Sequence, residues 1–308
     1  MKKLERLDHC LNCGTPTGKG INFCPQCGQE NVNKRQPFWS ILVDAVTGFF
    51  SIDSKTFRSI FPLLFKPGFL TKEFVTGRLV NYVHPARMFI TITILYFISF
   101  SILTDSKNKL KISLPEDRNE SPDSNEVSIN AGSAKINYWQ VSELMQNGIT
   151  DEKQIADSIQ LEKTFWNMLV LRYIMKTKSM SREAFLSYYK SRLPWIMFAI
   201  MPVFALIMKM VYLRRKRLYI DHLVFAYHYH SFAFLLMMIG LLLLKLWPGM
   251  PQWPIALWIL WYLLRSMITV YDDSLLKAFF RFMLILVFYL IAGAFAFMIS
   301  LFLLFMLF

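Results

Sequence analysis

Long apolar runs alternate along the chain with short polar, mostly basic stretches. Five runs can each cover a bilayer core of about 30 Å at about 1.5 Å per residue. They are Ala86–Thr104, Leu193–Leu213, His222–Trp247, Trp253–Tyr271 and Phe282–Phe308. The second holds Pro202, which removes a helical N–H and predicts a kink. The fifth is long enough to tilt or overrun the core.

Before the first run the pattern is amphipathic. Trp39, Leu42, Val46, Phe49 and Phe50 share one helical face, and so do Phe57, Ile60, Phe61, Leu64 and Phe65. Asp53 suits the N-cap of the second group. Lys66-Pro67-Gly68 breaks the chain, and Thr71 suits the N-cap of a third short helix. These segments are too short and too charged to span. Two readings compete: a small soluble helical domain, or helices lying in the inner membrane interface. The second is preferred, because the last of them runs straight into the first span.

Residues 105–135 carry few apolar groups and are expected to be disordered. Helical patterning returns from Asn137 to Lys178, with Thr150 as N-cap of "DEKQIADSIQ" and Ser181 as cap of a helix leading into the second span. The segment "FWNMLVLRYIM" is apolar enough to lie on a membrane or pack against spans. The expected fold is thus an all-α polytopic membrane protein of about five transmembrane helices, with interfacial amphipathic helices and, where Cys10, Cys13, Cys24 and Cys27 form a CxxC…CxxC pattern, an N-terminal zinc ribbon. Its divisions are 1–36 for the ribbon, 37–85 for the interfacial helices, 86–104 for the first span, 105–192 for an external loop and 193–308 for the remaining spans.

Composition agrees: 55% of residues are hydrophobic, above the soluble norm. The net charge of +13 is a matter of topology here. Lys209, Arg214, Arg215, Lys216 and Arg217 crowd the short loop between spans two and three, which predicts that this loop is cytoplasmic. The N-terminus then falls in the cytoplasm and the C-terminus outside. "MKKLERLDHC" has no apolar core behind it, so no cleavable signal peptide is expected.

All four cysteines lie in "CLNCGTPTGKGINFCPQCGQ". Cys10-x2-Cys13 and Cys24-x2-Cys27 form two knuckles separated by ten residues, each followed by glycine. Four thiolates in a tetrahedron suit structural Zn²⁺, which must supply most of the folding free energy of so short a segment. Two disulfides or a redox pair are the alternatives; a reducing compartment disfavours the first, and the lack of an α/β scaffold disfavours the second. His9 is superfluous to a four-cysteine site. Between the knuckles only Lys19 and Phe23 offer a cation and an aromatic ring, which argues against nucleic acid and for a cytoplasmic protein partner or a structural role.

The element "YIDHLVFAYHYHSF" brings Asp221, His222, His228 and His230 to the start of span three. Ionisable groups in a membrane are functional candidates. At about 100° per residue, His222 and His230 lie about 80° apart and His228 points elsewhere, so no single-helix metal pair forms. Anchoring of the helix end competes with proton relay, metal or ligand contact. In "KPGFLTKEFVTGRLVNYVHPAR", the side chains of Arg78, His84 and Arg87 are candidates for lipid headgroup contacts; ordinary loop chemistry is the alternative. No phosphate loop, catalytic triad pattern, carboxylate pair or HExxH is present.

The ordered series Cys10, Cys13, Gly14, Phe23, Cys24, Cys27 and Gly28, then Pro67, Gly68, Gly77, Arg78, Tyr82 and Pro85, resembles an uncharacterised family of membrane proteins, chiefly of Bacteroidota, known only as a domain of unknown function. The acidic-His and His-x-His element resembles it too, with Asp221 where that family is expected to have Glu. The resemblance implies a bacterial inner-membrane location and carries no known activity. The favoured function is a non-enzymatic scaffold or sensor that recruits a partner through the ribbon. A transporter or channel for a small solute or lipid, using span three, is the alternative, and an intramembrane enzyme comes third.

Overall fold

The computed structural model describes residues 6–18, 20–31, 54–105, 128–131, 134–179 and 182–307. Asp53, Ser181 and the face from Trp39 to Phe50 lie outside these residues. The elements in chain order are α1 (Ser54–Phe65), α2 (Phe69–Val75), α3 (Pro85–Asp105), β1 (Ser128–Ala131), β2 (Ala134–Asn137), α4 (Tyr138–Gln146), α5 (Glu152–Ser158), α6 (Phe165–Ser179), α7 (Arg182–Val211), α8 (Tyr219–Leu246), α9 (Trp253–Tyr271) and α10 (Leu275–Leu307). Five of them, α3, α7, α8, α9 and α10, are long and apolar enough to cross a membrane, as the hydropathy pattern requires. Pro194 and Pro202 both lie within the single helix α7. The last helix starts at Leu275, not Phe282, and so takes in Lys277 and Arg281.

The chain divides into two compact units: residues 1–108 with 194–294, and residues 109–193 with 295–308. In the first, the spans are joined by aromatic residues. Phe89, Phe204, Phe225, Phe232 and Tyr212 are almost wholly buried. Phe232 of α8 and Tyr262 of α9 stack with centroids 3.5 Å apart. Gly240 lets α8 approach Ile255 of α9 so closely that a Cβ there would clash.

α1 and α2 do not form a separate soluble domain. Leu63 of α1 and Leu70 of α2 belong to the same core as the spans. Thr71 does not cap α2. The helix begins two residues earlier, at Phe69, and its N-cap is Gly68 in a left-handed conformation with φ of 79°. That backbone sits against α9, where a Cβ would meet Ser266 O and Thr269 Cβ, each at 2.9 Å. Glycine is the residue that satisfies both demands at this turn.

The second unit corrects the expected disorder over residues 128–135. β1 and β2 pair antiparallel, with Ile129 opposite Ile136. Asn137 then caps α4 by accepting from Trp139 N and Gln140 N, and Asp151, not Thr150, caps α5. Ile136, Val141, Ile155, Leu161, Leu171 and Ile174 form a core of their own, closed on its surface by Arg172 donating to both carboxylate oxygens of Glu152.

Candidate functional site

The four cysteine Sγ atoms lie within 4.8 Å of one another. Cys10 faces Cys27, and Cys13 faces Cys24, each at 3.5 Å. A tetrahedron with Zn–S of about 2.3 Å has sulfur–sulfur edges of about 3.8 Å, so the donor set fits one metal ion. The two knuckles repeat each other at an offset of 14 residues, a relation visible in their backbone hydrogen bonds. Gly14 N donates to Cys10 O as Gly28 N does to Cys24 O. Cys10 N donates to Thr15 O as Cys24 N does to Gln29 O, and Thr17 N to Asp8 O as Asn31 N does to Asn22 O. The Asn31 side chain ties the halves together by donating to the carbonyls of Leu7 and Ile21. The Thr15 hydroxyl and amide beside Cys13 hold its thiol down at about 6, whereas burial pushes the Cys27 thiol up to about 11.

The repeat breaks at one useful place. Thr15 occupies the position that Gln29 holds in the second knuckle. Gln29 Nε2 donates to Gly77 O at 2.8 Å, and Leu79 N donates to Gln29 Oε1 at 3.2 Å. Its amide thus completes two backbone groups in the loop between α2 and α3. Leu11, from the first knuckle, packs against Gly77 so closely that a Cβ there would meet Leu11 Cδ1 at 2.7 Å. Arg78 in this loop pairs with Glu73 at 2.9 Å. The His84 ring meets Phe74 edge to face, and Arg87 is half-buried in the first turn of α3. The ribbon is therefore seated on the segment that leads into the first span.

The span-three residues do not form one cluster. Asp221 is the third residue of α8 and accepts from Leu218 N at 2.9 Å, which caps the helix. His222 Nδ1 lies 2.7 Å from the Tyr271 hydroxyl. His228 Nδ1 lies 2.9 Å from Thr71 Oγ1 of α2, and His230 Nε2 lies 3.0 Å from the Tyr289 hydroxyl of α10. The three histidines thus reach three different elements, as their angular spacing requires. His222 Nε2 and Ser266 Oγ are buried without a hydrogen-bond partner among the described residues. Thr71, His228, Tyr262 and Ser266 line a small cavity beside Gly68.

A site that sequence reasoning missed lies at the ends of α7 and α9. The Asp273 side chain is fully buried, and it accepts from Tyr212 Oη, Arg215 Nη2 and Arg281 Nη1. Tyr212 stacks on Tyr271 with centroids 3.8 Å apart. Arg217 donates to Val270 O, and Lys209 donates to Arg217 O. Much of the basic loop is therefore engaged in joining span ends. The second Asp of "YDD" was the available signal, since a carboxylate beside a span end needs basic partners.

Against known families, residues 53–97 match a family model described as "Protein of unknown function (DUF3667)". The match spans α1, α2 and the first half of α3, including Gly68, Thr71, Gly77 and Arg78. No curated protein and no solved structure matches the chain.

Proposed function

We propose that this integral membrane protein is a sensor or scaffold of a bacterial inner membrane, in which a cytoplasmic ribbon loaded with Zn²⁺ recruits a protein partner. The observation that supports it is the Gln29 contact with Gly77 and Leu79. A ribbon that only capped the terminus would need no contact with the segment entering the first span. Here metal occupancy shapes a knuckle whose side chain completes that segment's backbone, so a change at the metal is felt in α2 and α3. A donor set of four thiolates supports zinc as the metal. The positive-inside rule, applied to Lys209 and Arg214–Arg217, supports the cytoplasmic side.

The test is affinity capture with the full chain in nanodiscs, with zinc and after chelation. A partner bound only by the metal-loaded chain is expected. Equal capture by both forms, or by Cys24→Ser, excludes recruitment through the ribbon.

Transport of a small solute or lipid is the second reading. It is favoured by His222 Nε2 and Ser266 Oγ, which lack a partner among the described residues within apolar spans, because such atoms are costly in a membrane. Joint replacement of His222, His228 and His230 should abolish a transport activity and leave zinc-dependent capture intact.

A further inference from the structure

α1 turns its apolar side outward. Phe57, Phe61 and Phe65, spaced one turn apart, are 72%, 60% and 60% exposed, while Ser59 and Leu63 on the opposite side are 1% exposed. In a soluble helix this distribution would be inverted. The rings of Phe61 and Phe65 touch, with centroids 5.0 Å apart, so the stripe is continuous. Arg58 and Lys66 border it at either end.

The depth of this helix decides what covers the stripe. The Tyr262 hydroxyl donates to Leu63 O at 2.5 Å. Tyr262 is the middle residue of α9, whose 19 residues make a helix about 28 Å long, close to the full thickness of a hydrocarbon core. Tyr262 also stacks on Phe232, well inside α8. Even allowing for the reach of a tyrosine side chain, Leu63 lies below the end of the span. The chain then rises toward that end: Gly68 meets Ser266, Thr269 and Val270, and Lys72 pairs with Asp272 at 3.1 Å.

The hydrogen bonding fits such a setting. Leu63 O is one of the last four carbonyls of α1, which have no partner inside the helix. Within hydrocarbon every such group must find one in the protein. Two of the four find one here: Tyr262 donates to Leu63 O, and Lys66 N to Pro62 O.

From this geometry we infer that α1 and α2 form a membrane-inserted hairpin that enters and leaves on the ribbon's side, and that Phe57, Phe61 and Phe65 are a contact surface for the acyl chains of that leaflet's phospholipids. Arg58 and Lys66 sit where cationic side chains reach back toward headgroup phosphates. The inserted hairpin places the ribbon's docking loop, Gly77–Leu79, directly at the membrane surface.

Benzoylphenylalanine placed at 57, 61 or 65 tests this with little change of shape. The full-length protein is reconstituted in nanodiscs of phosphatidylglycerol and phosphatidylethanolamine, irradiated and weighed by intact mass spectrometry. Position 287, an outward residue of α10 that is 54% exposed, is the lipid-facing control. Adducts of one phospholipid mass at all three positions, at yields comparable to position 287, are expected. Cross-linking to a second copy of the chain, or to another protein when native membranes are irradiated, would overturn the inference. So would loss of the phospholipid adduct at 57, 61 and 65 while position 287 still reacts. A monodisperse size-exclusion profile and a thermal unfolding midpoint matching the parent chain establish that each variant is folded.

Discussion

Thr71 Oγ1 lies 2.9 Å from His228 Nδ1, joining residues 157 apart in the chain. Both are buried. The bond fixes the inserted hairpin to span α8 at its polar point. Thr71→Val keeps the shape and removes the hydroxyl, leaving one imidazole nitrogen buried without its partner. A loss of about 1–3 kcal/mol is expected, read from chemical denaturation in detergent. In the double variant Thr71→Val/His228→Leu the two effects should be markedly less than additive, because the second change removes the group that the first stranded.

Gly68 and Gly14 both have positive φ, 79° and 76°, yet they differ in surroundings. A Cβ on Gly14 meets nothing within 4 Å, whereas one on Gly68 runs into the α9 backbone at Ser266. Gly14→Ala should cost about 1–2 kcal/mol, the left-handed penalty alone. Gly68→Ala should add about 1–3 kcal/mol of overpacking and displace the hairpin from α9. Equal losses of stability in the two variants would show that the close packing at Gly68 is absent.

The metal and the hairpin loop should respond together. One zinc per chain is expected by elemental analysis, and Cys10→Ser or Cys24→Ser should abolish stoichiometric binding. Chelation should raise amide exchange at Leu79, whose N–H is held by Gln29, by about tenfold for one hydrogen bond of about 1.4 kcal/mol. Gln29→Ala should give the same rise with zinc still bound. If the Leu79 amide is indifferent to both changes, the coupling does not exist.

Burial pushes the Asp273 carboxyl up, but hydrogen bonds from Arg281, Arg215 and Tyr212 outweigh it and hold the group below its usual range. The folded state therefore favours the carboxylate. Its stabilising contribution is complete above the unfolded value of about 4 and is lost as pH falls through the lowered folded value. Asp273→Asn should cost about 1–3 kcal/mol at neutral pH. Its stability should also fall less than that of the parent chain between about pH 5 and about pH 3. Parallel acid profiles would remove Asp273 from that role.

How much of this was legible in the sequence depended on the range of the interaction. Membrane spans are local: bilayer thickness sets their length, so runs of apolar residues reveal them one at a time. The metal site is also local. Its four ligands fall within 18 residues, and a tetrahedral thiolate set constrains their spacing. The 14-residue repeat from Leu7 to Asn31 was equally available, in the matching of Leu7 with Ile21 and Thr17 with Asn31. The disorder expected over residues 128–135 failed because antiparallel pairing gives each strand backbone partners that a single-strand reading cannot count.

The sequence by itself therefore determined the five apolar spans, the cysteine cluster and the basic loop, because each follows from the chemistry of contiguous residues. Only the tertiary structure decided what those parts touch. Thr71, read locally, is a helix cap; in the fold its hydroxyl reaches His228. Gln29 has no local meaning until Gly77 and Leu79 come within reach of its amide. The Phe57, Phe61 and Phe65 face points outward because Tyr262 holds the other side of the helix. These contacts join residues tens to hundreds of positions apart, and their geometry exists only once the helices have packed.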